Sequence, residues 1–366
     1  MTCKHFGVCG GCTLPGVPYA EQLARKQRTL SRLLNIEVPP LVPSPREAGF
    51  RNKVAFVFGS TSHREGATVM GHYALGSQKI VPIDECPVHH ERGNRIAFAL
   101  RDHLRRARPG VLRHVIIRTT DSGREASAML VVRDNDKSLR APVRKFLSSP
   151  EKPDGFFVNI HDKPGPYMVG DETIKIEGRS QVKEVVGEIS YLVSPTAFFQ
   201  TNVGAATELV RLVLGEIAGA KRVLDLYCGS GLFSLPMARA GATVLAVEEN
   251  RQAIADAEAN VRINRLQHAG IRFVAARVEE SLTRVAKERW DAVVLDPPRQ
   301  GCPAAVIAMV FEELRPPRAV YVSCNPDALA REMPVILGTG YRVTRVQPLD
   351  MFPHTDHIET VVTLDR

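Results

Sequence analysis

From about residue 202 onward, short apolar runs alternate with amphipathic stretches of helical length, and no other feature narrows the fold as much. Strand-like runs fall at 222–226, 243–247, 271–275, 291–295 and 319–322, and helical periodicity fills 205–217, 232–240, 251–264, 304–314 and 328–337. Strands joined by helices pair in parallel, because each crossover returns the chain to the same edge. The expectation is an α/β domain with helices on both faces of a parallel sheet. Runs at 341–348 and 358–364 read as an antiparallel pair closing one edge. Such sheets hold ligands beyond the carboxyl ends of their strands. Three strands run there into unusual loops: Tyr227-Cys228-Gly229-Ser230-Gly231, Asp296-Pro297-Pro298-Arg299 and Ser323-Cys324-Asn325-Pro326.

The first half reads differently. A helix at 19–34 ends in a proline-rich linker at 38–45. Strands at 54–59, 69–74, 115–118, 128–132, 155–160, 173–178 and 189–193 then surround a helix at 92–107, an α+β region. The chain divides into 1–45, 46–193 and 194–366. Charge follows the same division: residues 1–190 hold 29 Lys/Arg against 20 Asp/Glu, whereas 191–366 hold 19 against 20. A net charge of +8 placed in one half suits a polyanion bound there, with a solvated basic surface as the alternative. No stretch reaches the roughly 18 apolar residues of a membrane helix, and residues 1–5 do not read as a signal peptide, so the expected location is the cytoplasm.

Seven cysteines in a cytoplasmic chain argue against a disulfide framework. Cys3, Cys9 and Cys12 crowd the start, and Cys86 stands in Glu85-Cys86-Pro87. Four thiolates close either a tetrahedral zinc site or a cubane iron–sulfur cluster. Cys9 and Cys12 with two residues between them, and a distant Cys-Pro, lean towards iron–sulfur, and zinc stays open as the rival.

Gly229 and Gly231 permit a tight turn and a close backbone approach to a ligand, but Leu232-Phe233-Ser234 follow where the dinucleotide fingerprint has its third glycine. Glu248, ending the next strand, can accept hydrogen bonds from ribose hydroxyls. NAD and S-adenosylmethionine both fit, and the shortened pattern suits a ligand without a pyrophosphate. A cysteine beside S-adenosylmethionine has a specific use. C5 of a pyrimidine is a poor nucleophile until a thiolate adds to C6. The enolate then takes the methyl group at C5, and a base removes the C5 proton so that the thiolate leaves. Cys324 is the candidate nucleophile, against the ordinary alternative of a small buried residue. Cys228 reads as packing beside the cofactor and Cys302 as structural.

These loops, in this order, resemble the RNA uridine C5-methyltransferases of the bacterial uracil-5-methyltransferase family. The match also runs through Ser194-Pro195-Thr196-Ala197-Phe198-Phe199-Gln200-Thr201-Asn202 and His354-Thr355-Asp356-His357-Ile358-Glu359. The N-terminal cysteines and Phe50-Arg51-Asn52-Lys53 extend it to nearly the full chain. The resemblance implies a Rossmann-like S-adenosylmethionine-dependent methyltransferase domain at 194–366. An iron–sulfur segment and helix at 1–45 and a central RNA-binding domain at 46–193 would precede it. Gln200, Tyr227, Glu248 and Asp296 match the cofactor-binding positions, Cys324 the nucleophile and Glu359 the base. Cys3, Cys9, Cys12 and Cys86 match the ligands of a [4Fe-4S] cluster. At Leu232 several relatives carry a cofactor-contacting Asn, so Ser230 or the backbone would replace that contact. Arg51 and Lys53 are the candidates for RNA phosphate contacts. His354 and His357 receive no metal.

Within the family, the cysteines point away from the branch that methylates the T-loop of transfer RNA. A cluster beginning at Cys3 leaves no room for the oligonucleotide-binding barrel of a second ribosomal branch. The implied substrate is an unpaired uridine of 23S ribosomal RNA, with a transfer RNA uridine as the alternative. A non-catalytic RNA-binding iron–sulfur protein and a nicotinamide oxidoreductase are the rivals from other classes. The intact Gln200, Asp296, Cys324 and Glu359 disfavour the first, and the missing glycine the second.

Overall fold

The computed structural model describes residues 2–60, 68–163, 168–285 and 288–366. Helix α1 (Tyr19–Leu34) precedes a first sheet of seven strands: β1 (Lys53–Ser60), β2 (Thr68–Tyr73), β3 (Ile80–Pro82), β4 (Leu112–Thr119), β5 (Ala126–Val132), β6 (Gly155–Ile160) and β7 (Glu172–Gly178). Their order is β3-β2-β1-β4-β5-β6-β7. Every pair is antiparallel except β5 with β6, whose parallel pairing needs the crossover supplied by α3 (Arg140–Leu147). Side chains alternate across each strand. Val54, Phe56 and Phe58 of β1 therefore share a core with Ile96 and Leu100 of α2 (Glu91–His103) and Phe146 of α3.

A second seven-stranded sheet holds β10 (Arg222–Leu226), β11 (Thr243–Glu248), β12 (Ile271–Ala275), β13 (Ala292–Leu295), β14 (Arg318–Ser323), β15 (Arg342–Leu349) and β16 (Glu359–Asp365). The order is β12-β11-β10-β13-β14-β16-β15. It is parallel as far as β14, and β16 and β15 close it antiparallel, as the alternation required. Both faces are covered: Val223, Val294 and Val320 point into one core, Leu224, Leu295 and Tyr321 into the other. The intervening helices are α4 (Val203–Glu216), α5 (Ser234–Arg239), α6 (Arg251–Ile263), α7 (Val278–Val285), α8 (Ala304–Ala308) and α9 (Pro326–Gly338). No helix among the described residues is long and apolar enough to cross a membrane.

Several segments depart from expectation: α3, α7, β3 and β8 (Val182–Val186) were not foreseen, the helix expected over 92–107 ends at His103, and two further segments differ in kind. Strand β9 (Ile189–Val193) was expected to complete the first sheet, but it pairs with β8 in a separate hairpin. The hairpin buries Val182, Val186, Tyr191 and Val193 against the second sheet's core. Its backbone is stitched to α6, with Ser190 N and Leu192 N donating to Asn264 Oδ1 (2.9 Å) and Asn260 Oδ1 (2.6 Å). The helix expected over 304–314 is α8 followed by a π-helical turn at Met309–Leu314.

Helix α1 docks on the second sheet, not the first. Leu30 is fully buried there, and Lys26 Nζ lies 2.7 Å from Asp350 Oδ1 in a buried ion pair. Removing one partner of such a pair costs about 3–5 kcal/mol, because the other charge is left uncompensated.

Candidate active site

The strand order reverses between β10 and β13, so the loops that follow them open a crevice at the carboxyl edge. The first loop turns through three left-handed residues, Tyr227 (φ 65°), Gly229 (53°) and Gly231 (89°). A tyrosine there costs about 1–2 kcal/mol, a strain of the kind that clusters at ligand sites. At Gly231 the left-handed backbone disfavours a side chain, and a Cβ would fall 2.1 Å from Leu235 Cδ1, which would have to swing away. Glu248 faces the loop, accepting from Gly229 N at 3.1 Å and Asn250 N at 2.9 Å. Its oxygens keep lone pairs for a diol. Asp225 is fully buried and accepts from Ser234 Oγ; burial pushes its carboxyl up to about 7, helped by the charge of Glu248. Burial raises Asp296 too, followed by the charges of Asp225 and Glu248. Gln200 is buried two residues before Asn202, whose side chain caps α4 and donates to Met351 O at 3.0 Å. Leu232 packs in the core and its carbonyl accepts from Tyr191 Oη, so that position is structural.

Cys324 and Glu359 converge through sheet register. Strands β14 and β16 pair as far as Ser323 with Thr360, and one further step sets Cys324 opposite Glu359. Burial pushes the Cys324 thiol up to about 11, and Glu359 and Asp296 add to it, while Arg299 opposes them. Glu359 is itself held above the ordinary carboxyl range by burial and then by Asp296, again opposed by Arg299. Arg299 thus favours the ionised form of both groups, yet the sequence reading gave it no role. The Asn325 side chain donates to Arg299 O (2.8 Å) and accepts from Asp327 N, capping α9. The thiol therefore sits at the start of a helix of 13 residues, where the dipole favours a thiolate.

The segment leading to Glu359 is tied to the N-terminal residues. His354, at φ 67°, donates its backbone N–H to Gln22 Oε1 (2.7 Å), and its carbonyl accepts from Thr13 N and Leu14 N (both 3.0 Å). Its ring nitrogens meet Gln22 Nε2 at 3.1 Å and Glu47 O at 2.9 Å. His357 lies against Arg299 Nη2 at 3.1 Å.

Phe50-Arg51-Asn52-Lys53 joins the two halves. Phe50 and Asn52 are buried, and Asn52 N donates to Thr201 O at 2.8 Å. Arg51 N donates to Val88 O (3.0 Å), and its own carbonyl accepts from His90 N (2.9 Å). Burial lowers the Arg51 guanidinium, Cys86 and Cys12 oppose that and Arg299 adds to it, so Arg51 lies near both the cysteines and Arg299. Its Nε donates to Lys53 O at 3.2 Å. Lys53 pairs directly across β1 and β4 with Arg118. Burial, then Arg118 and Arg51, bring its ammonium down to about 7. Like charges facing each other across strands are destabilising. Arg118 Nε and Nη1 are buried without partners.

Cys3, Cys9, Cys12 and Cys86 are all half-buried; burial raises the thiols of Cys9, Cys12 and Cys86, and the charges of neighbouring cysteines add to it. Burial and mutual repulsion push Cys12 up to about 12 and Cys86 to about 11. Gly11 N donates to Cys9 Sγ at 3.4 Å, His89 N donates to the Cys86 carbonyl oxygen at 3.1 Å, and the nearby amides of Val88 and His89 act to lower the Cys86 thiol. Four soft donors that feel one another's charge, one of them with an N–H group aimed at its sulfur, fit a thiolate-bound metal group, whose charge would offset the cost of ionising them.

Residues 169–366 match the family model described as tRNA (Uracil-5-)-methyltransferase. An uncharacterised RNA methyltransferase of Thermosynechococcus vestitus is 36% identical, over 97% of this chain and 82% of its own. One from Gloeobacter violaceus is 33% identical, over 98% and 81%. The structure is similar to that of Pyrococcus abyssi tRNA (uracil-54, C5)-methyltransferase in complex with S-adenosyl-L-homocysteine, with a TM-score of 0.82 and 30% identity over 98% of this chain and 86% of that one. With the crevice, the fold and these relatives together, the chain belongs to the tRNA (uracil-5-)-methyltransferase family and is an S-adenosylmethionine-dependent RNA uracil-5-methyltransferase.

Proposed function

We propose that this enzyme methylates C5 of one unpaired uridine in 23S ribosomal RNA through a covalent Cys324 adduct. The observation that carries the chemistry is the register that sets Cys324 opposite Glu359 at the crevice. The Cys324 thiolate, favoured by Arg299 and the start of α9, adds to C6 of the base. The C5 enolate then attacks the methyl carbon of S-adenosylmethionine, held by Gln200, Tyr227, Glu248 and Asp296, and S-adenosylhomocysteine leaves. Glu359 takes the C5 proton, and the electron pair of that C–H bond expels the thiolate from C6. A carboxyl held above its ordinary range is suited to accept a proton near neutrality. The uridine must leave its stack to reach the thiol, which is easiest in a loop. Phe198, 71% exposed two residues before Gln200, offers a ring face to an unstacked base. Arg51 and Lys53, both partly exposed, are the candidates for the phosphate contacts, while Arg118, opposite Lys53 in the sheet, is buried.

In this reading Cys3, Cys9, Cys12 and Cys86 hold a [4Fe-4S] cluster, which supplies a structural tie between residues 3–12 and the loop at 86, or an electron store. The cysteine set supports the ribosomal target. The Pyrococcus relative acts on transfer RNA, which makes a transfer RNA uridine the second reading. Labelled S-adenosylmethionine offered with 23S and transfer RNA together should mark 23S RNA at one position, and label in transfer RNA alone would overturn the ribosomal assignment. RNA carrying 5-fluorouridine at the target should trap a stable adduct, since fluorine cannot leave as a proton; no adduct would remove the Cys324 role.

A further inference from the structure

Beside the cysteines lies a second convergence that the methyl transfer does not use. His72 on β2, Cys86 and His89 each bring one ligand-type atom to within 4.8 Å of the others. The two rings are held rigidly: His72 stacks on Phe56 at 4.8 Å, His89 meets Phe56 edge-on at 5.2 Å, and the histidines meet each other at 5.2 Å. His89 is only 6% exposed, and its Nδ1 makes no hydrogen bond of normal geometry, although the Asn94 side chain lies near the ring. An orphaned buried nitrogen is costly unless a bound group satisfies it. Hydrogen bonds to sulfur are one of the means by which a protein sets the potential of an iron–sulfur cluster, and groups that orient ligands govern how firmly a metal is held.

We propose that His72 and His89 are positioning residues for the cluster, donating ring N–H groups to sulfur at its Cys86 corner. The inference rests on the [4Fe-4S] reading above. Such donors stabilise the more negative, reduced cluster and so raise its potential. They also fix the Cys86 side chain, so the cluster resists loss in air. Phe56 supplies the orientation, since its ring fixes both imidazoles.

The test uses the full chain purified without oxygen. His72→Phe and His89→Phe retain a ring against Phe56 but remove the N–H, and His89→Gln retains a donor. Iron and acid-labile sulfide are measured first, then midpoint potential and the rate of bleaching in air. With about four irons per chain in each protein, both Phe variants should have a more negative potential and bleach several-fold faster, with His89→Gln returning towards wild type. Unchanged potential and bleaching in both Phe variants would overturn the proposal and leave the cluster standing. If a Phe variant fails to assemble, His89→Gln decides alone: cluster loss or a value equal to that of cluster-bearing His72→Phe would count against a donor role. Wild type that binds one zinc and no iron would remove the cluster itself, and this inference with it.

Discussion

In the second sheet the groups proposed to act on cofactor and base stand where strands begin or end: Asp296 after β13, Cys324 after β14, Glu359 opening β16. In the first sheet the notable groups meet sideways. Lys53 faces Arg118 across two strands, Arg51 lies near Cys12 and Cys86, and His72 meets His89 around Phe56. Parallel strands joined by crossovers finish at one edge, so motifs far apart in sequence converge there by topology. In an antiparallel sheet neighbours are decided by register, which a single residue of slip would change. The cofactor loops thus follow the first rule, whereas the pairing of Cys324 with Glu359 across antiparallel β14 and β16 follows the second, as the pairs of the first sheet do.

The sharpest way to break this division is Cys324→Ala. Methyl transfer should fall by at least about a thousandfold, with S-adenosylmethionine affinity nearly unchanged by equilibrium dialysis. A loss as large from a first-sheet cation would place chemistry there as well.

Glu359→Gln should stall the reaction after transfer, leaving methylated RNA attached to the enzyme on denaturing gels. For wild type the rate should climb as pH rises through neutrality, because the raised Glu359 must first lose its proton. The same shift has the opposite sign for stability. The folded carboxyl binds its proton more tightly than the unfolded one, so its contribution is full at acid pH and is lost as pH rises through the folded value. Between about pH 5 and 8, urea unfolding should show Glu359→Gln gaining relative to wild type. A constant difference would mean that Glu359 titrates as an ordinary carboxyl.

Cys86→Ser should lower iron from about four per chain to near zero and weaken RNA binding, while methyl transfer at saturating RNA falls far less than in Cys324→Ala. Equal losses in the two variants would make the cysteine group part of the catalytic machinery. The smallest effect is expected from Lys53→Ala: a modest loss of RNA affinity and a salt dependence reduced by about one counterion, with cofactor affinity unchanged. An unaltered salt slope would move the phosphate contact elsewhere on the first sheet.

Legibility in the sequence follows the same two rules. The helix at 19–34 and the strand at 271–275 have the bounds that periodicity gave, and the family was readable from loops at strand ends. The destination of β9 was not, because its alternation is the same whichever core it faces. Helix α7 escaped notice, being only eight residues long. Arg299 was visible only as a letter in a motif; its reach to Glu359 and Cys324 depends on β13, β14 and β16 lying side by side. The pairing of Lys53 with Arg118 and the meeting of His72 with His89 leave no local signal, since each joins residues from separate strands or loops.

The attachment of 350–358 to the first residues of the chain bears on how such proteins could be recombined. Gln22 with His354 and Lys26 with Asp350 act as two halves of one lock, more than 300 positions apart. Grafting the first forty residues of one relative onto another would bring a key cut for a different lock. The damage would surface in the segment that carries Glu359, far from the graft in sequence. Substitutions at these pairs should therefore be tolerated only when both members change together, and a functional chimera would need to exchange the two segments as one unit.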